Sequence, residues 1–195
     1  MSKRLWGLEW PTWTHDGIVC EPAGLEEVRS FIADHYPSIF ALEAGPFLTE
    51  AMTDAKRRFL EECDISVLRD GAELAGIAIG HPTDWSTWYS RSFALLPKYR
   101  ERSLLTEFTR RTSSLLAEQG IDRAEVDTSP ANVPVQRALL QAGFLITSTT
   151  LSERWGTMLR FTRFFNPKAE EAFRRQYISV PNYGRSAQSK EGGSP

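Results

Sequence analysis

The dipeptide Asp70-Gly71 restricts the fold of this 195-residue chain more narrowly than any other short stretch. It joins two β-rich runs, DISVLR and AELAGIAI, and Asp-Gly readily takes up the positive φ angles of a tight two-residue turn. The two runs are therefore predicted to be adjacent antiparallel strands of one hairpin. Every other element has to be arranged around this pair.

Strand-like and helix-like patterns alternate along the rest of the chain. Residues 17–23 are β-rich, and the next segment carries Leu25, Val28 and Phe31 at the spacing of an amphipathic helix. This order, an antiparallel meander followed by βα units, predicts an α/β fold with a mixed sheet and helices on both faces. The predicted elements are a strand (17–23), two helices (24–36 and 47–63), the hairpin (64–82), a long strand (87–96), a helix (103–120), a strand (122–129), a helix (132–142), two strands (144–155 and 157–165) and a short helix (167–177).

The long strand at 87–96 has the sequence TWYSRSFALL. Successive side chains in a strand point to opposite faces of the sheet. Alternation therefore predicts one face with Trp88, Ser90, Ser92, Ala94 and Leu96, and an opposite face with Tyr89, Arg91, Phe93 and Leu95.

The same patterns predict how the chain is divided. Residues 1–16 are expected to be a Trp-rich N-terminal extension, and residues 17–165 a single folded domain. Residues 166–184 are expected to form a C-terminal helix and extension. Residues 185–195 are rich in Gly and Ser and are predicted to be disordered.

Composition argues against several classes of function. The formal net charge is -2 and the pI is about 6.0, so no overall positive field attracts nucleic acid or an anionic membrane. Cys20 and Cys63 have no CxxC spacing, so neither a disulfide framework nor a metal site is predicted. No apolar run approaches the roughly 18 residues of a membrane span, and no signal peptide is recognised. A cytoplasmic protein is expected.

The stretch LLPKYRERSLLTEF has the outline of a strand that turns through a basic loop into a helix. Pro97 ends the strand, and the turn contains no glycine. A helix N-terminus presents about four unpaired N–H groups and a positive dipole end, which together favour a phosphate. Arg100 and Arg102 could add direct phosphate contacts. A phosphate cradle and an ordinary solvated turn are both open for this stretch alone.

The loop resembles that of the GNAT superfamily, the acyltransferases that move an acyl group from acyl-coenzyme A to an amine. In that family a strand and a Pro are followed by Arg/Gln-x-x-Gly-x-Gly/Ala and a helix. Here Arg100, Ser103 and Leu105 occupy the three motif positions. Replacing the two glycines by Ser103 and Leu105 should narrow the approach of the phosphates.

A second pattern resembles the same family. A later helix of the family starts with Asn and ends in Gly-Phe, and Asn132 is followed by Gly143 and Phe144 at that spacing. The resemblance covers residues 17–165. It implies acetyl-CoA or another acyl-CoA as co-substrate, held along the end of the long strand and at the loop. The residues implied to bind it are Phe93, Ala94, Leu95, Leu96, Arg100, Glu101, Arg102, Ser103, Leu104, Leu105, Thr106 and Asn132.

Amide formation also needs a general base for the amine and a group that protonates the leaving thiolate. Many members of the family use a Tyr seven residues after the motif Asn for the second role, and this chain has Leu139 there. Tyr89, Tyr99, Tyr177 and Tyr183 are the possible substitutes.

Two pairs of residues are candidates for the base. Glu125 and Asp127 come first, because the resemblance implies that they lie near the point where two parallel strands of the family separate. They also share one side of the strand that precedes Asn132. His81 and Asp84 come second, although a His beside Pro and a lone Asp are also common in ordinary turns.

The segment HPTDWSTWYSR carries Trp85, Trp88 and Arg91, which are predicted to line the entrance for the acceptor. Aromatic walls and a cation suit a small-molecule amine with an anionic group, such as an aminosugar derivative or an amino acid. Core packing of the tryptophans and a surface Arg would explain the same residues.

The leading hypothesis is an N-acyltransferase, most simply an acetyltransferase, that acts as a monomer or homodimer on a small-molecule amine. The alternative is a GNAT-like module without this activity. Such a module would be a scaffold, a non-catalytic CoA-binding domain, or a domain that acts on an acyl group held by an acyl carrier protein. The missing glycines and Leu139 favour the alternative, whereas the frame from Asn132 to Phe144 favours the enzyme.

Overall fold

The computed structural model describes residues 6–40, 53–152 and 155–178. The strands are β1 (Trp13–His15), β2 (Ile18–Pro22), β3 (Asp64–Asp70), β4 (Glu73–Pro82), β5 (Thr87–Leu95), β6 (Arg123–Thr128), β7 (Leu145–Ser152) and β8 (Gly156–Phe164). The helices are α1 (Leu25–Ile39), α2 (Asp54–Glu62), α3 (Leu104–Glu118), α4 (Val133–Gln141) and α5 (Pro167–Phe173). Among the described residues, one eight-stranded sheet has the order β1-β2-β3-β4-β5-β6-β8-β7. Its neighbouring strands are antiparallel except β5 and β6, which are parallel.

The predicted α/β fold with a mixed sheet is confirmed, and its elements follow the predicted order with one addition. The addition is β1, which pairs with β2 through a turn at Asp16 and Gly17. Part of the predicted helix at 47–63 lies outside the described residues, and α2 begins at Asp54. The predicted disordered tail at 185–195 also lies outside them.

The chain separates into two compact units, one ending at Phe165 and one beginning at Asn166. The second unit contains α5, which Asn166 caps, and a π-helical turn at Arg174–Ile178. Ion pairs within this unit join residues one helical turn apart. The division into four segments made from the sequence stays a prediction.

The predicted hairpin is present as β3 and β4, with its turn displaced by one residue. Asp70 still pairs with Glu73, so the two turn residues are Gly71 and Ala72. Gly71 has a φ of 57°, a conformation that glycine adopts without strain and that the first position of a type II′ turn requires.

Helices cover both faces of the sheet. α1 packs on one face in a cluster that includes Val28, Phe31 and Ile77, which we call the α1 cluster. α3 packs on the other face, where Phe108 and Ala78 belong to the same cluster. Ile77 and Ala78 are consecutive on β4, so their side chains point to opposite faces. Val28 and Ile77 are fully buried, and each such aliphatic side chain contributes about 1.5–3 kcal/mol to stability.

A β-bulge interrupts β5 in the middle of its pairing with β4. Gly80 opposes Ser90 and Ile79 opposes Ser92, so Arg91 is an extra residue without a partner on β4. An extra residue reverses the side to which all later side chains of the strand point.

The alternation predicted along β5 is therefore wrong beyond the bulge. Trp88, before the bulge, packs with Leu116 of α3. Beyond it, Ala94 belongs to the α1 cluster, and Phe93 packs on Phe108 of α3. Trp88 and Ala94 thus lie on opposite faces, whereas strict alternation placed them on the same one.

β5 and β6 run side by side only over their first residues. Their pairs extend from Thr87–Arg123 to Ser90–Val126, and no later pair joins them in the described part of the chain. β6 is paired on its other edge with β8 over its whole length. The C-terminal ends of β5 and β6 therefore separate and leave a gap in the sheet.

The loop between β5 and α3 is held to two hairpins by acidic side chains. The buried Tyr99 hydroxyl lies 3.1 Å from the carboxylate of Asp70 and 2.9 Å from that of Glu73, both at the β3–β4 turn. Arg102 forms an ion pair with Asp16 in the β1–β2 turn. These contacts fix the path of the loop although it contains no glycine.

Two residues of this loop have the left-handed conformation that usually favours glycine. The φ angle is 62° at Glu101 and 56° at Ser103. Ser103 occupies the position of the first glycine in the family motif. At this position the backbone is left-handed, as glycine would allow, although serine has a Cβ atom. A left-handed residue other than glycine costs about 1–2 kcal/mol.

Replacing this residue by glycine (Ser103→Gly) is expected to raise the free energy of unfolding by about 1 kcal/mol, because the relieved strain exceeds the added entropy of the unfolded chain. Urea denaturation measures the change as a higher midpoint at an unchanged slope. The matched control is Ser114→Gly in the interior of α3, where glycine should lower stability by about 0.5 kcal/mol. Destabilisation by both substitutions would contradict strain at Ser103.

Candidate functional site

The gap between β5 and β6 opens into a cleft of about 120 Å³ beside α3 and α4. The separated strand ends, one face of α3 and the start of α4 line it, together with Phe40 from the end of α1. The lining residues that the sequence singled out are Trp88, Arg91, Phe93, Leu105, Glu125, Asp127 and Asn132.

The N-terminus of α3 supplies backbone donors at the edge of this cleft. Ser103 precedes the helix and makes no side-chain capping bond. The first helical bond runs from the Glu107 N–H to the Ser103 carbonyl oxygen, so the N–H groups of Leu104, Leu105 and Thr106 have no partner within the helix. Because Leu105 lines the cleft, an anion bound by these groups would lie at its edge.

The other residues predicted to hold a cofactor differ in how they could contact it. Ala94 and Leu104 are each only 1% exposed, so their main chain alone could reach a ligand. Leu95 and Leu96 are partly buried against the core. Phe93 has the same partial burial and also lines the cleft.

The two arginines of the loop differ in whether they form an ion pair. Arg102 is engaged by Asp16, and its Nη2 also donates to the Asp16 carbonyl oxygen at 2.5 Å. This contact raises the pKa of Arg102 and lowers the pKa of Asp16. Arg100 and Glu101 are exposed, and Arg100 forms no ion pair with any described residue. Arg100 is therefore the loop cation that can turn toward an incoming phosphate.

Glu125 and Asp127 point the same way from β6 and are joined by Arg160 of β8. Arg160 makes two bonds of 2.9 Å to Asp127, and it lies 3.2 Å from Glu125. Tyr89 donates to Asp127 at 3.3 Å, while Arg123 lies 3.6 Å from Glu125. Both oxygens of Asp127 are thus occupied at hydrogen-bond distance. Glu125 has longer contacts and is the freer carboxylate of the cleft.

This network fixes the protonation of two of its members. Its bonds to Asp127 raise the pKa of Arg160 above the ordinary value, so the guanidinium stays charged. Burial, with Asp127 beside it, raises the pKa of Tyr89 to about 12. The Tyr89 phenol therefore stays protonated at neutral pH and directs its proton at Asp127.

The second pair of candidate bases is absent from the described residues that line the cleft. His81 is buried, and its Nδ1 lies 3.0 Å from the Pro82 carbonyl oxygen. Because a carbonyl only accepts, that nitrogen carries the proton. Asp84 accepts bonds from the backbone N–H and the hydroxyl of Ser86, which lower its pKa and stabilise the turn.

Asn132 and Leu139 place the second family pattern at the cleft. Asn132 caps α4, where its Oδ1 accepts from the Val135 N–H at 3.5 Å, and the side chain is exposed. Leu139 is 3% exposed and packs with Phe144 and Phe161. It also lines the cleft, so the position of the family tyrosine is here an apolar core position.

The residues predicted at the acceptor entrance lie in different environments. Trp88 is buried in the cleft wall, and its Nε1 donates to Asp64 at 3.0 Å. Trp85 is 86% exposed in the turn between β4 and β5. Arg91, the bulge residue, is exposed at the cleft and makes no ion pair with any residue that the structure describes. The structure therefore groups Arg91 with Glu125 rather than with Trp85.

Tyr99 and Tyr177 lie in different environments. Tyr99 is buried where it tethers the loop. Tyr177 is 68% exposed in the second unit, and Tyr183 lies outside the described residues.

Sequence reasoning missed two features of the site. One is Arg160, whose position opposite Asp127 depends on the register of β6 and β8. The other is Tyr36 of α1, whose hydroxyl lies 2.7 Å from the hydroxyl of Ser92 in the cleft wall. Neither contact had a local signal, because Arg160 and Asp127 are 33 positions apart in the chain and Tyr36 and Ser92 are 56 apart.

The described ranges lack two other kinds of site. No three His, Cys, Asp or Glu side chains converge there as a metal ion would need. None of the helices in those ranges is both long and apolar enough to cross a membrane.

No protein-family model and no curated protein sequence matches this chain. Solved structures do match it. The ribosomal-protein-S5-alanine acetyltransferase from Vibrio fischeri superposes with a TM-score of 0.63 at 9% identity, over 80% of this chain and 98% of that one. A GNAT family acetyltransferase from Elizabethkingia anophelis with acetyl-CoA bound gives 0.56 at 12% identity, over 76% and 99%. An acetyltransferase from Bacillus subtilis in complex with CoA gives 0.54 at 15% identity, over 74% and 97%.

All three are acetyltransferases, and their sequence identities to this chain are too low to transfer their substrates. What they share with it is the arrangement of strands and helices. This chain therefore has the fold of the GNAT acetyltransferases, as the resemblance of its sequence predicted.

Proposed function

We propose that this protein is an acyl-CoA-dependent N-acyltransferase that moves an acetyl group to a small-molecule amine. The observation that carries the proposal is the cleft between the separated ends of β5 and β6. Free helix N–H groups lie at its edge, and the carboxylate of Glu125 faces it from β6. Acyl-CoA, when bound, supplies an acyl group that is already activated as a thioester.

The described residues fit an acyl-CoA at both ends of the cleft. The N–H groups of residues 104–106 and the exposed Arg100 suit its diphosphate. The unpaired edge of β5 beyond Ser90 offers main-chain groups to the amide-containing arm, as an added strand would use them.

Glu125 is the general base of the proposed reaction. An amine must be uncharged to attack a carbonyl carbon, so its proton has to pass to the enzyme, directly or through a water. Glu125 lines the cleft with longer ion-pair contacts than Asp127, whose oxygens are held by Arg160 and Tyr89. Asp127 and Arg160 then keep the Glu125 side chain in place.

Arg91 suggests the class of acceptor. It is a cation that lines the same cleft as the proposed base, and it has no ion pair among the described residues. A guanidinium in that state suits a carboxylate or phosphate on the acceptor. Amino acids and anionic aminosugars carry both an amine and such a group, so we propose them as the acceptors.

Leu139 favours a second candidate function. An apolar residue at this position leaves the site without the tyrosine that protonates the thiolate in many members of the family. A module that binds CoA without transferring its acyl group would not need that tyrosine. The two candidates differ in turnover with CoA thioesters.

Calorimetric titration should show that CoA binds with a Kd at least about tenfold lower than pantetheine, which lacks the diphosphate that the α3 N-terminus would hold. Arg100→Ala should raise the Kd for CoA about tenfold and leave that for pantetheine unchanged. Arg29→Ala, on exposed α1 across the sheet, is the control and should change neither. Equal binding of CoA and pantetheine, or no binding of CoA at millimolar concentration by folded protein, would contradict the proposal.

The substitution Glu125→Gln should lower kcat about 10²- to 10⁴-fold while the KM for acetyl-CoA is kept, because it removes the base without removing contacts to the cofactor. Thiol release from acetyl-CoA, measured over a panel of amino acids and aminosugars, reports the rate. Glu118→Gln, an exposed position at the end of α3, is the matched control.

Two outcomes of that assay would count against the enzyme. An unchanged kcat in Glu125→Gln would exclude Glu125 as the base. Tight binding of CoA without turnover of any amine would leave the non-catalytic module as the better account.

A further inference from the structure

One pair of hydroxyl groups in the cleft wall has no role in the proposed function. The Tyr36 hydroxyl lies 2.7 Å from Ser92 Oγ, and the two residues are brought together from α1 and β5. Tyr36 is 8% exposed, with its ring packed on Phe40 at 5.0 Å between centroids. Ser92 lines the cleft directly after the bulge at Arg91.

Either hydroxyl can donate in this hydrogen bond, and the acidities of the two groups favour one direction. A phenol is a stronger acid than an aliphatic alcohol, so Tyr36 is the better donor and Ser92 the better acceptor. Burial raises the pKa of Tyr36 to about 12, so the phenol keeps its proton near neutral pH. A serine hydroxyl that accepts from Tyr36 has its own hydrogen free, and the cleft is the open space beside it.

Ser92 also lies where the reacting end of an acyl-CoA would be. From the loop at the α3 N-terminus, an arm that follows β5 backward passes Leu95 first and reaches Ser92 three residues later. Three strand residues span roughly 10 Å. In the strand register Glu125 of β6, the proposed base, is level with Tyr89, three residues further along this path than Ser92, and α4 contributes the apolar Leu139 to the cleft lining.

We propose that Tyr36 orients Ser92 so that the serine hydroxyl donates a hydrogen bond to the sulfur of CoA, in place of the tyrosine absent at Leu139. This inference rests on the proposed function. During transfer the amine nitrogen bonds to the acyl carbon, the C–S bond breaks, and its electron pair stays on sulfur. The amine proton passes to Glu125, and the thiolate leaves under the hydrogen bond from Ser92. Tyr36 is thus a positioning residue, and no proton has to leave it.

Other charged and titratable groups near the cleft would affect the ionisation of the same sulfur. Arg91 is close enough to lower the pKa of Tyr36 and would also favour a thiolate. Glu125 and Asp127 face the cleft from β6, with Arg160 neutralising much of their charge. Cys63 belongs to the apolar α1 cluster with Tyr36, and burial raises its pKa to about 11.

The probes are CoA and desulfo-CoA, which lacks the sulfur, titrated calorimetrically at a pH about one above the ordinary thiol value of about 8.5. The wild-type protein should bind CoA about tenfold more tightly than desulfo-CoA, because a hydrogen bond to a charged acceptor is strong. Tyr36→Phe and Ser92→Ala should each remove that preference without changing the Kd for desulfo-CoA. Ser90→Ala, which changes a serine of the same cleft on the other side of the bulge, should keep it.

A second measurement follows the thiolate directly by its ultraviolet absorbance, with the desulfo-CoA complex as the blank. Bound CoA should ionise at lower pH in the wild type than in Tyr36→Phe or Ser92→Ala. The pKa values of Cys63 and Cys20, raised to about 11 and about 12 by burial, keep both protein thiols silent in this range.

The outcomes distinguish the role of the Tyr36–Ser92 pair from the proposed acyl-CoA-dependent function. A preference for CoA that persists unchanged in Tyr36→Phe and Ser92→Ala would overturn the role of the hydroxyl pair. Equal affinity of the wild type for CoA and desulfo-CoA would also overturn it while leaving the proposed function intact. Failure of the wild type to bind either compound would contradict the proposed function itself.

Discussion

The separation of β5 from β6 is the constraint on which the rest of the site depends. Paired strands would satisfy each other's main-chain groups and close the sheet, but the last pair is Ser90–Val126. β6 is held away on its other edge by β8, and the bulge at Arg91 bends β5 at the same level. The gap that results exposes main-chain donors and acceptors of β5 and gives Glu125 a cavity to face.

The loop at the other end of the cleft achieves a glycine-like path by different means. Ser103 adopts the left-handed conformation of a glycine, and Tyr99 and Arg102 tie the loop to acidic residues of two hairpins. The tethers supply the energy that holds a strained residue in place. Helix N–H groups bind an anion whatever the side chain is. The loss of glycine therefore reduces the room for a phosphate but leaves the N–H groups that would bind it.

The sequence predicted those features of the fold that depend on a few adjacent residues. Gly71 marked the hairpin, Gly120 the end of α3, and Asn132 the start of α4, since each of these depends on a few adjacent residues. The strand β1 was missed because three residues carry no usable periodicity. The bulge at Arg91 was missed because it depends on how β5 pairs with β4, which the sequence of one strand does not show.

The candidate site was predicted in part for the same reason. Glu125 and Asp127 share one strand, so alternation alone put them on one side, and the structure shows them lining one cleft. Arg160 and Tyr36 reach the site from other elements, and their contacts depend on sheet register and on the position of α1. The residue type of Trp88 did not show whether it is a core residue or a binding residue. In the structure the same ring forms part of the core and part of the cleft wall.

The most direct test of the central claim is main-chain amide hydrogen exchange with and without acetyl-CoA. If the gap between β5 and β6 is the acyl-CoA site, the ligand should slow exchange at residues 91–95 and 101–106, while β3 on the far side of β4 stays unchanged. Binding that leaves exchange at both segments unaffected, or that protects the outer face of α1 instead, would contradict it.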